Sequence, residues 1–301
     1  MKRKPIYVEV PIETEIENLW SASQRPHLHE QWDIRFTSIT YLPKENESSP
    51  QHFSYKTNVG FGIAIEGWGK SVGEFNGNDG SRTSSLHFGT DQRISIISEG
   101  KGYWKYIPVE QKKVTFLTQY DYKTRFGKVG AFIDSIIFRP MIGWGTALSF
   151  DVLKRWLEKG ESPASQYTRF ISYWMIALMF SFIWMYQGLV PKVWMKHPEE
   201  VSMAASILPE AIDASKVVFT MGLSEMLFGL IWLFTRKKHL LFKMQMVAFP
   251  LLTVSAILAA PRALTHPFNP LTFNVSLFIL SFIGMKISRD IPTAKKCKRK
   301  R

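Results

Sequence analysis

The stretch FISYWMIALMFSFIWMYQGLV, Phe170 to Val190, contains no charged residue. About twenty apolar residues are what an α-helix needs to cross the hydrocarbon core of a bilayer, so this run predicts a membrane span. Three more follow. Val217 to Thr235 (VVFTMGLSEMLFGLIWLFT) holds one carboxylate, Glu225. Leu240 to Ala260 has Lys243 near its start and Pro250 in its middle, and Phe268 to Ile287 reads FNPLTFNVSLFILSFIGMKI. Pro250 would break a short soluble helix, but a membrane helix tolerates it when its neighbours satisfy the freed carbonyl.

The flanking charges predict an orientation. Arg236, Lys237 and Lys238 follow the second span, and Lys286, Arg289, Lys295, Lys296, Lys298, Arg299, Lys300 and Arg301 follow the fourth against one acid, Asp290. Between the first and second spans, Glu199, Glu200, Glu210 and Asp213 outnumber Lys192, Lys196 and Lys216; between the third and fourth there is only Arg262. Lys and Arg collect on the cytoplasmic side, so four spans with both termini cytoplasmic are expected, in the cell membrane. The net charge of +13 is then partly a topology signal. The basic tail, 289–301, reads as a solvated end attracted to anionic headgroups, and no nucleic-acid partner is expected. The mean hydropathy of -0.06 averages a polar first half with an apolar second half.

Met1 to Lys4 are basic, but the alternating YVEVPIE follows in place of an apolar run, so no signal peptide is expected. Residues 1–160 read as a soluble α+β domain: a strand Ile6–Ile12, a short helix over Thr14–Ser23 ended by Arg25-Pro26, then six strands over Phe36–Leu42, Phe53–Val59, Ile63–Phe75, Ser81–Thr90, Ile94–Ile107 and Val114–Phe126. Turn signals such as NGNDG, Asn76 to Gly80, separate them. Gly127 to Gly160 is a long helical pattern with Ile133, Ile137, Met141, Trp144, Leu148 and Val152 on one stripe; Pro140, Gly143 and Gly145 should soften its first half. Residues 161–166 (ESPASQ) form the linker, and 167–288 the membrane domain. The single cysteine, Cys297, excludes an internal disulfide and a multi-cysteine metal site.

This order of elements, with the segments HLHEQWD and GYWKYIP and the long terminal helix, resembles the SRPBCC (START-like) superfamily over residues 5 to 160. The resemblance implies a helix-grip fold, an antiparallel sheet wrapped around the long helix, and binding of a lipid or another hydrophobic small molecule. The second half resembles the bacterial DoxX-like membrane proteins through YQGLVPK (Tyr186–Lys192), the Gly-x-x-Glu-x-x-x-Gly core of GLSEMLFGL (Gly222–Leu230) and HPFNPLTFNVSL (His266–Leu277). That resemblance implies association with membrane redox chemistry through quinones. The expected fold class is an α+β helix-grip domain followed by an all-α four-helix transmembrane bundle.

Two groups of residues are candidate sites. Trp32, Tyr55, Trp68, Trp104, Tyr106, Tyr120, Tyr122 and Trp144 either fill an ordinary sheet-on-helix core or line an apolar cavity, their polar atoms orienting a ligand. In the membrane half Glu225 lies mid-span, where a carboxylate faces a partner or the bundle interior. It is expected to pair with Lys192 or Lys243, or to form with Gln187, Asn274 and His266 a proton-linked or quinone headgroup site. His27 and His29 fit a zinc site poorly, and no residues are assigned to catalysis or metal binding. Three functions remain open: binding a lipid or quinone in the helix-grip domain, a subunit of a membrane oxidoreductase with a quinone site at Glu225 and a redox partner, or a structural anchor for a partner enzyme.

Overall fold

The computed structural model describes residues 4–46, 49–60, 62–235 and 237–300; Arg236 and Arg301, counted above among the flanking charges, lie outside the described residues. The chain folds as two compact units, residues 1–167 together with 292–301, and residues 168–291.

In the first unit, alternating apolar residues build a seven-stranded antiparallel sheet of β1 (Ile6–Ile12), β2 (Ser38–Tyr41), β3 (His52–Gly60), β4 (Ile63–Asn76), β5 (Arg82–Gly89), β6 (Ile97–Glu110) and β7 (Lys113–Thr124). Their order is β1-β7-β6-β5-β4-β3-β2, a meander with the first strand brought round beside the last. Two short helices, α1 (Ile16–Gln24) and α2 (Pro26–Trp32), fill the β1–β2 connection. Pro26 ends the first, as expected, and also begins the second, because proline at the first helical turn loses no hydrogen bond.

The long helix comes in three pieces: α3 (Gly127–Ile133), a π-helical turn (Asp134–Phe138) and α4 (Arg139–Lys159). The stripe expected on it is corrected. Leu148 and Val152 are fully buried, but Ile133, Ile137, Met141 and Trp144 are 39%, 60%, 51% and 40% exposed. What faces the sheet is another set: Asp134 accepts from the Tyr122 hydroxyl at 2.6 Å, Thr146 shares a 2.8 Å hydrogen bond with Tyr120, and Phe150 stacks on Phe116 at 4.5 Å. The extra residue of a π-turn rotates all that precedes it about the helix axis, so a 3.6-residue stripe cannot be carried through it.

Four inward-facing aromatics lie across glycines on the adjacent strand: Phe53 opposite Gly69, Tyr55 opposite Gly67, Phe88 opposite Gly100 and Tyr120 opposite Gly102. A Cβ on Gly102 would sit 2.5 Å from that of Tyr120. The rings of Phe53, Tyr55 and Phe88 lie over Gly69, Gly67 and Gly100, in space that a Cβ would fill, and glycine at such positions allows a sheet to curve.

Residues 292–300, part of the 289–301 segment expected from sequence to be a solvated tail, pack on this unit. Thr293 N donates to Asp151 Oδ2 at 2.8 Å, the Cys297 thiol donates to Ala147 O at 3.3 Å, and Lys298 forms an antiparallel bridge with Glu9. β1 is an edge strand, and its unpaired backbone groups supply what an isolated tail lacks.

The second unit contains α5 from Thr168 onward (the helix begins at Pro163 and ends at Gln187), a π-helical segment (Gly188–Trp194), α6 (Pro198–Ala205), α7 (Ala214–Phe234), α8 (Lys238–Ala259) and α9 (Pro270–Ile287). Asp213 caps α7 by accepting from Ser215 N and Lys216 N, and Asn269 caps α9 by accepting from Thr272 N. Pro250 lies within α8, which runs through it. Tyr173, Phe180, Trp232, Phe242 and Phe249 form the core. Among the described residues five helices, against the four expected, are long and apolar enough to cross a membrane. The additional one is Gly127–Lys159, which qualifies by length and composition although residues Gly145 to Leu153 are buried in the first unit.

Candidate functional site

The eight aromatics picked from sequence divide. Trp32, Trp104, Tyr106, Tyr120 and Tyr122 are buried. Trp32 and Trp104 (6.1 Å), Trp104 and Phe116 (5.8 Å), and Tyr106 and Phe116 (5.0 Å) pack ring to ring. Their polar atoms have internal partners: Trp32 Nε1 donates to Ala22 O at 2.9 Å, and the Tyr106 hydroxyl meets Ser23 at 2.7 Å. Burial holds the Tyr106 and Tyr120 hydroxyls above their ordinary pKa, so both stay neutral. Trp68 is not with them. It lies opposite Ser54 and Gly89 on the other face of the sheet, its ring 5.1 Å from that of His87. A single residue of parity decides this, because side chains alternate along a strand. Trp144 is on the exposed part of the helix.

Toward β3, β4 and β5 the inner face is less filled. Phe53, Tyr55, Leu86 and Phe88 point inward by register, yet each is only half-buried. Burial pushes the Tyr55 hydroxyl up to about 12, and it donates to Gly89 O at 3.3 Å. Beside these residues is an ion pair, absent from the sequence-based candidates, between the buried Asp33 carboxylate and the half-buried Arg35. Arg35 donates to Asp33 through Nε (2.8 Å) and Nη2 (2.6 Å), and His29 Nε2 lies 3.1 Å from the same carboxylate. The guanidinium carbon sits 5.5 Å from the ring centres of Phe36 and of Tyr120. Burial alone would raise the Asp33 pKa; the charge and hydrogen bonds of Arg35, with those of His29, outweigh it and hold the carboxyl well below the usual carboxylate range. The available signal was the run Trp32-Asp33-Ile34-Arg35, opposite charges two apart between large apolar residues.

In the membrane unit, Glu225 pairs with Lys192, Nζ to Oε2 at 2.9 Å. A close crossing makes this reach possible: a Cβ on Gly222 would lie 2.7 Å from Gly188 O and 2.8 Å from Lys192 Cβ, so only glycine lets the backbones approach. Lys192 also lies 3.9 Å from Glu200. Lys243, the other cation considered, is on an exposed position of α8. The described contacts of Glu225 do not include Gln187, His266 or Asn274. His266 is exposed, and its backbone oxygen accepts from Asn269. A cleft of about 730 Å³ opens beside Glu225, lined also by Asp213, Lys216, Thr220 and Ser224.

Residues 181–282 match the model of the DoxX-like family. The chain is 47% identical over 188 residues to "Uncharacterized membrane protein YndG" of Bacillus subtilis (strain 168), an alignment covering 62% of this chain and 70% of that protein. Among solved structures it is similar to a STAR-related lipid transfer protein fragment from Xanthomonas axonopodis (14% identity, 51% of this chain and 85% of the other, TM-score 0.40). It is also similar to a START superfamily protein from Mycobacterium smegmatis (11% identity, 47% and 91%, TM-score 0.34). The length and identity of the YndG match, with the family match across α7 and α8 and into α9, place this chain in the DoxX-like family of membrane proteins.

Proposed function

We propose that this protein binds an apolar small molecule with a hydrogen-bond-accepting head, a lipid or a quinone, in the open side of its helix-grip domain. The observation that carries this reading is the half-buried inner face of β3–β5 lying in the same unit as the Asp33–Arg35 pair. An apolar surface with one oriented cationic donor group is the usual make-up of a small-molecule site. Two of the five N–H donors of Arg35 engage Asp33 at 2.8 and 2.6 Å, and the guanidinium also hydrogen-bonds the Tyr120 hydroxyl.

In this reading the domain is cytoplasmic and four helices, α5, α7, α8 and α9, span the membrane. The docked tail supports an even number of crossings, because residues 292–298 and β1 belong to one folded unit on one side. The fifth apolar helix is not counted, because Phe150 and Thr146 hold it to the sheet.

The test is mass spectrometry of molecules extracted from the full-length protein purified in mild detergent, beside Leu86→Asp, which places a charge on the inner face. Enrichment of one lipid or quinone class on the parent and its loss from an equally stable variant is the expected result. Equal enrichment on both, or none on the parent, overturns the reading. A second reading, a proton-handling quinone site of a membrane oxidoreductase, rests on the cleft beside Glu225. It requires Glu225→Gln to abolish a quinone-dependent activity in a protein that remains folded.

A further inference from the structure

The surface of the helix-grip unit from Phe126 to Trp144 is unlike the rest of that unit. Its exposed side chains are Phe126, Val129, Phe132, Ile133, Ile136, Ile137, Pro140, Met141 and Trp144, and the exposed polar ones are only Lys128 and Ser135. Phe132, Val129 and Ile137 are 60% exposed or more. At about 1.5 Å per residue the segment is about 27 Å long, and soluble surfaces rarely leave so continuous an apolar patch in water.

The segment is held to its own domain along one line. Asp134 accepts from Tyr122 at 2.6 Å and from Arg139 Nε at 3.0 Å. Arg139 also pairs with Asp121 at 3.0 Å, donates to Lys4 O at 2.9 Å and stacks over the Tyr122 ring at 4.4 Å. The π-turn lies at this anchor. The apolar residues point away from it, so the sheet does not use them.

The geometry points to one occupant: the segment 126–144 lies in the headgroup–acyl boundary of an anionic bilayer as an interfacial helix, its apolar side chains in the lipid. The charges fit. From residue 122 to 150 the acid is Asp134, which is buried and paired, whereas Lys123 and Lys128 are exposed at the segment's start. An apolar helix with aromatic residues and flanking lysines is the composition of an in-plane membrane helix, and lysine stems can lie along it with their heads at the headgroups. The covalent path fits as well. α4 ends at Lys159 and α5, the first long helix of the DoxX-like half, begins at Pro163, so a membrane-anchored chain keeps this domain within reach of the lipid surface. The proposal does not depend on what the helix-grip interior binds.

The test uses the full chain in vesicles of phosphatidylglycerol and phosphatidylcholine, with Cys297 replaced by Ser. Nitroxide labels are placed one at a time at Val129→Cys, Phe132→Cys and Ile137→Cys, with Ser49→Cys as a loop control. Collision with oxygen, which concentrates in lipid, is compared with collision with a water-soluble nickel chelate. Several-fold preference for oxygen at the three sites, reversed at Ser49→Cys, is the expected result. Preference for nickel at the three sites overturns the proposal. So does shielding from both reagents, which would mean that protein covers the face, either a second copy or the chain's own helices. In pure phosphatidylcholine the oxygen preference should fall; no change would remove the anionic lipid from the proposal.

Discussion

Lys298 and Glu9 exchange both backbone hydrogen bonds, each N–H to the other's oxygen at 2.9 Å. This pair occupies the middle of the β1 edge and ties the residues around it to the sheet. Cys297, one position earlier, is buried, and burial together with the charge of Asp151 pushes its thiol up to about 12. A raised thiol pKa favours the neutral form. Its stabilising contribution is therefore complete below the unfolded value of 9.0 and is lost as pH rises toward about 12. The thiolate is the reactive species, so an aromatic disulfide reagent at pH 8 should modify the native protein far more slowly than the unfolded one. Thr293→Pro removes the N–H that Asp151 accepts and should accelerate the reaction while the membrane unit stays intact.

Asp33 and Arg35 should behave as a unit. Removing one partner of a buried pair costs about 3–5 kcal/mol, so Arg35→Met should lower the stability of the helix-grip unit by roughly that amount. Replacing both with apolar residues should cost less than the sum of the single changes. Because the folded pKa of Asp33 lies below its unfolded value of 3.8, its contribution is full above that value and is lost as pH falls below it. Acid unfolding followed by tryptophan fluorescence should begin at higher pH in Arg35→Met than in the parent.

Lys192 and Glu225 make the corresponding pair in the membrane unit. Lys192→Met leaves the carboxylate without its 2.9 Å partner and should destabilise the detergent-solubilised protein by about 3–5 kcal/mol. Gly222→Val should be at least as damaging, because the added side chain separates the backbones at Gly188 and breaks the pair indirectly. Thermal melting of the parent, Gly222→Val, the single variants Lys192→Met and Glu225→Leu and the double variant Lys192→Met/Glu225→Leu separates these effects. Near-additivity of the two pair substitutions would show that they do not interact.

The glycines across from the inward-facing aromatics give a fourth prediction. Gly102→Val places a branched side chain where Tyr120 lies and should cost about 1–3 kcal/mol or more by overpacking. Gly73→Val, at the β4 bulge with nothing near its Cβ position, should cost much less. Comparing their melting temperatures checks it.

The strands were readable because each buries one face, so a period of two survives in the letters, and the predicted strands lie close to those observed. The four long apolar helices of the second half were readable because length and apolarity mark them; the fifth helix that meets the same measure, Gly127–Lys159, was not counted. Three features were not readable. Trp68 was grouped with the inner aromatics because face assignment depends on strand pairing, which sequence alone does not supply. The stripe expected from Ile133 to Val152 holds at Leu148 and Val152 but fails before them, because the π-turn at Asp134–Phe138 leaves no mark in a 3.6-residue pattern. The 289–301 segment reads as a solvated tail because its charge is evident, whereas Glu9 of β1, which Lys298 bridges, is some 280 residues away in sequence. The Lys192–Glu225 pair was among the alternatives named from sequence; the glycine crossing that selects it over Lys243 is a matter of three-dimensional approach.

A domain completed by residues 292–298 is discontinuous, with the membrane helices as an insertion between its parts. During synthesis β1 waits with an open edge while every membrane segment is made and placed. The segment that bridges it is made only after all of them, and if these helices span the membrane as proposed, it reaches β1 only after an even number of crossings. Closure of the Glu9–Lys298 bridge is thus a local event that reads out a global one, and a chain with a misplaced span would carry an unsealed sheet edge, the kind of surface on which aggregation begins.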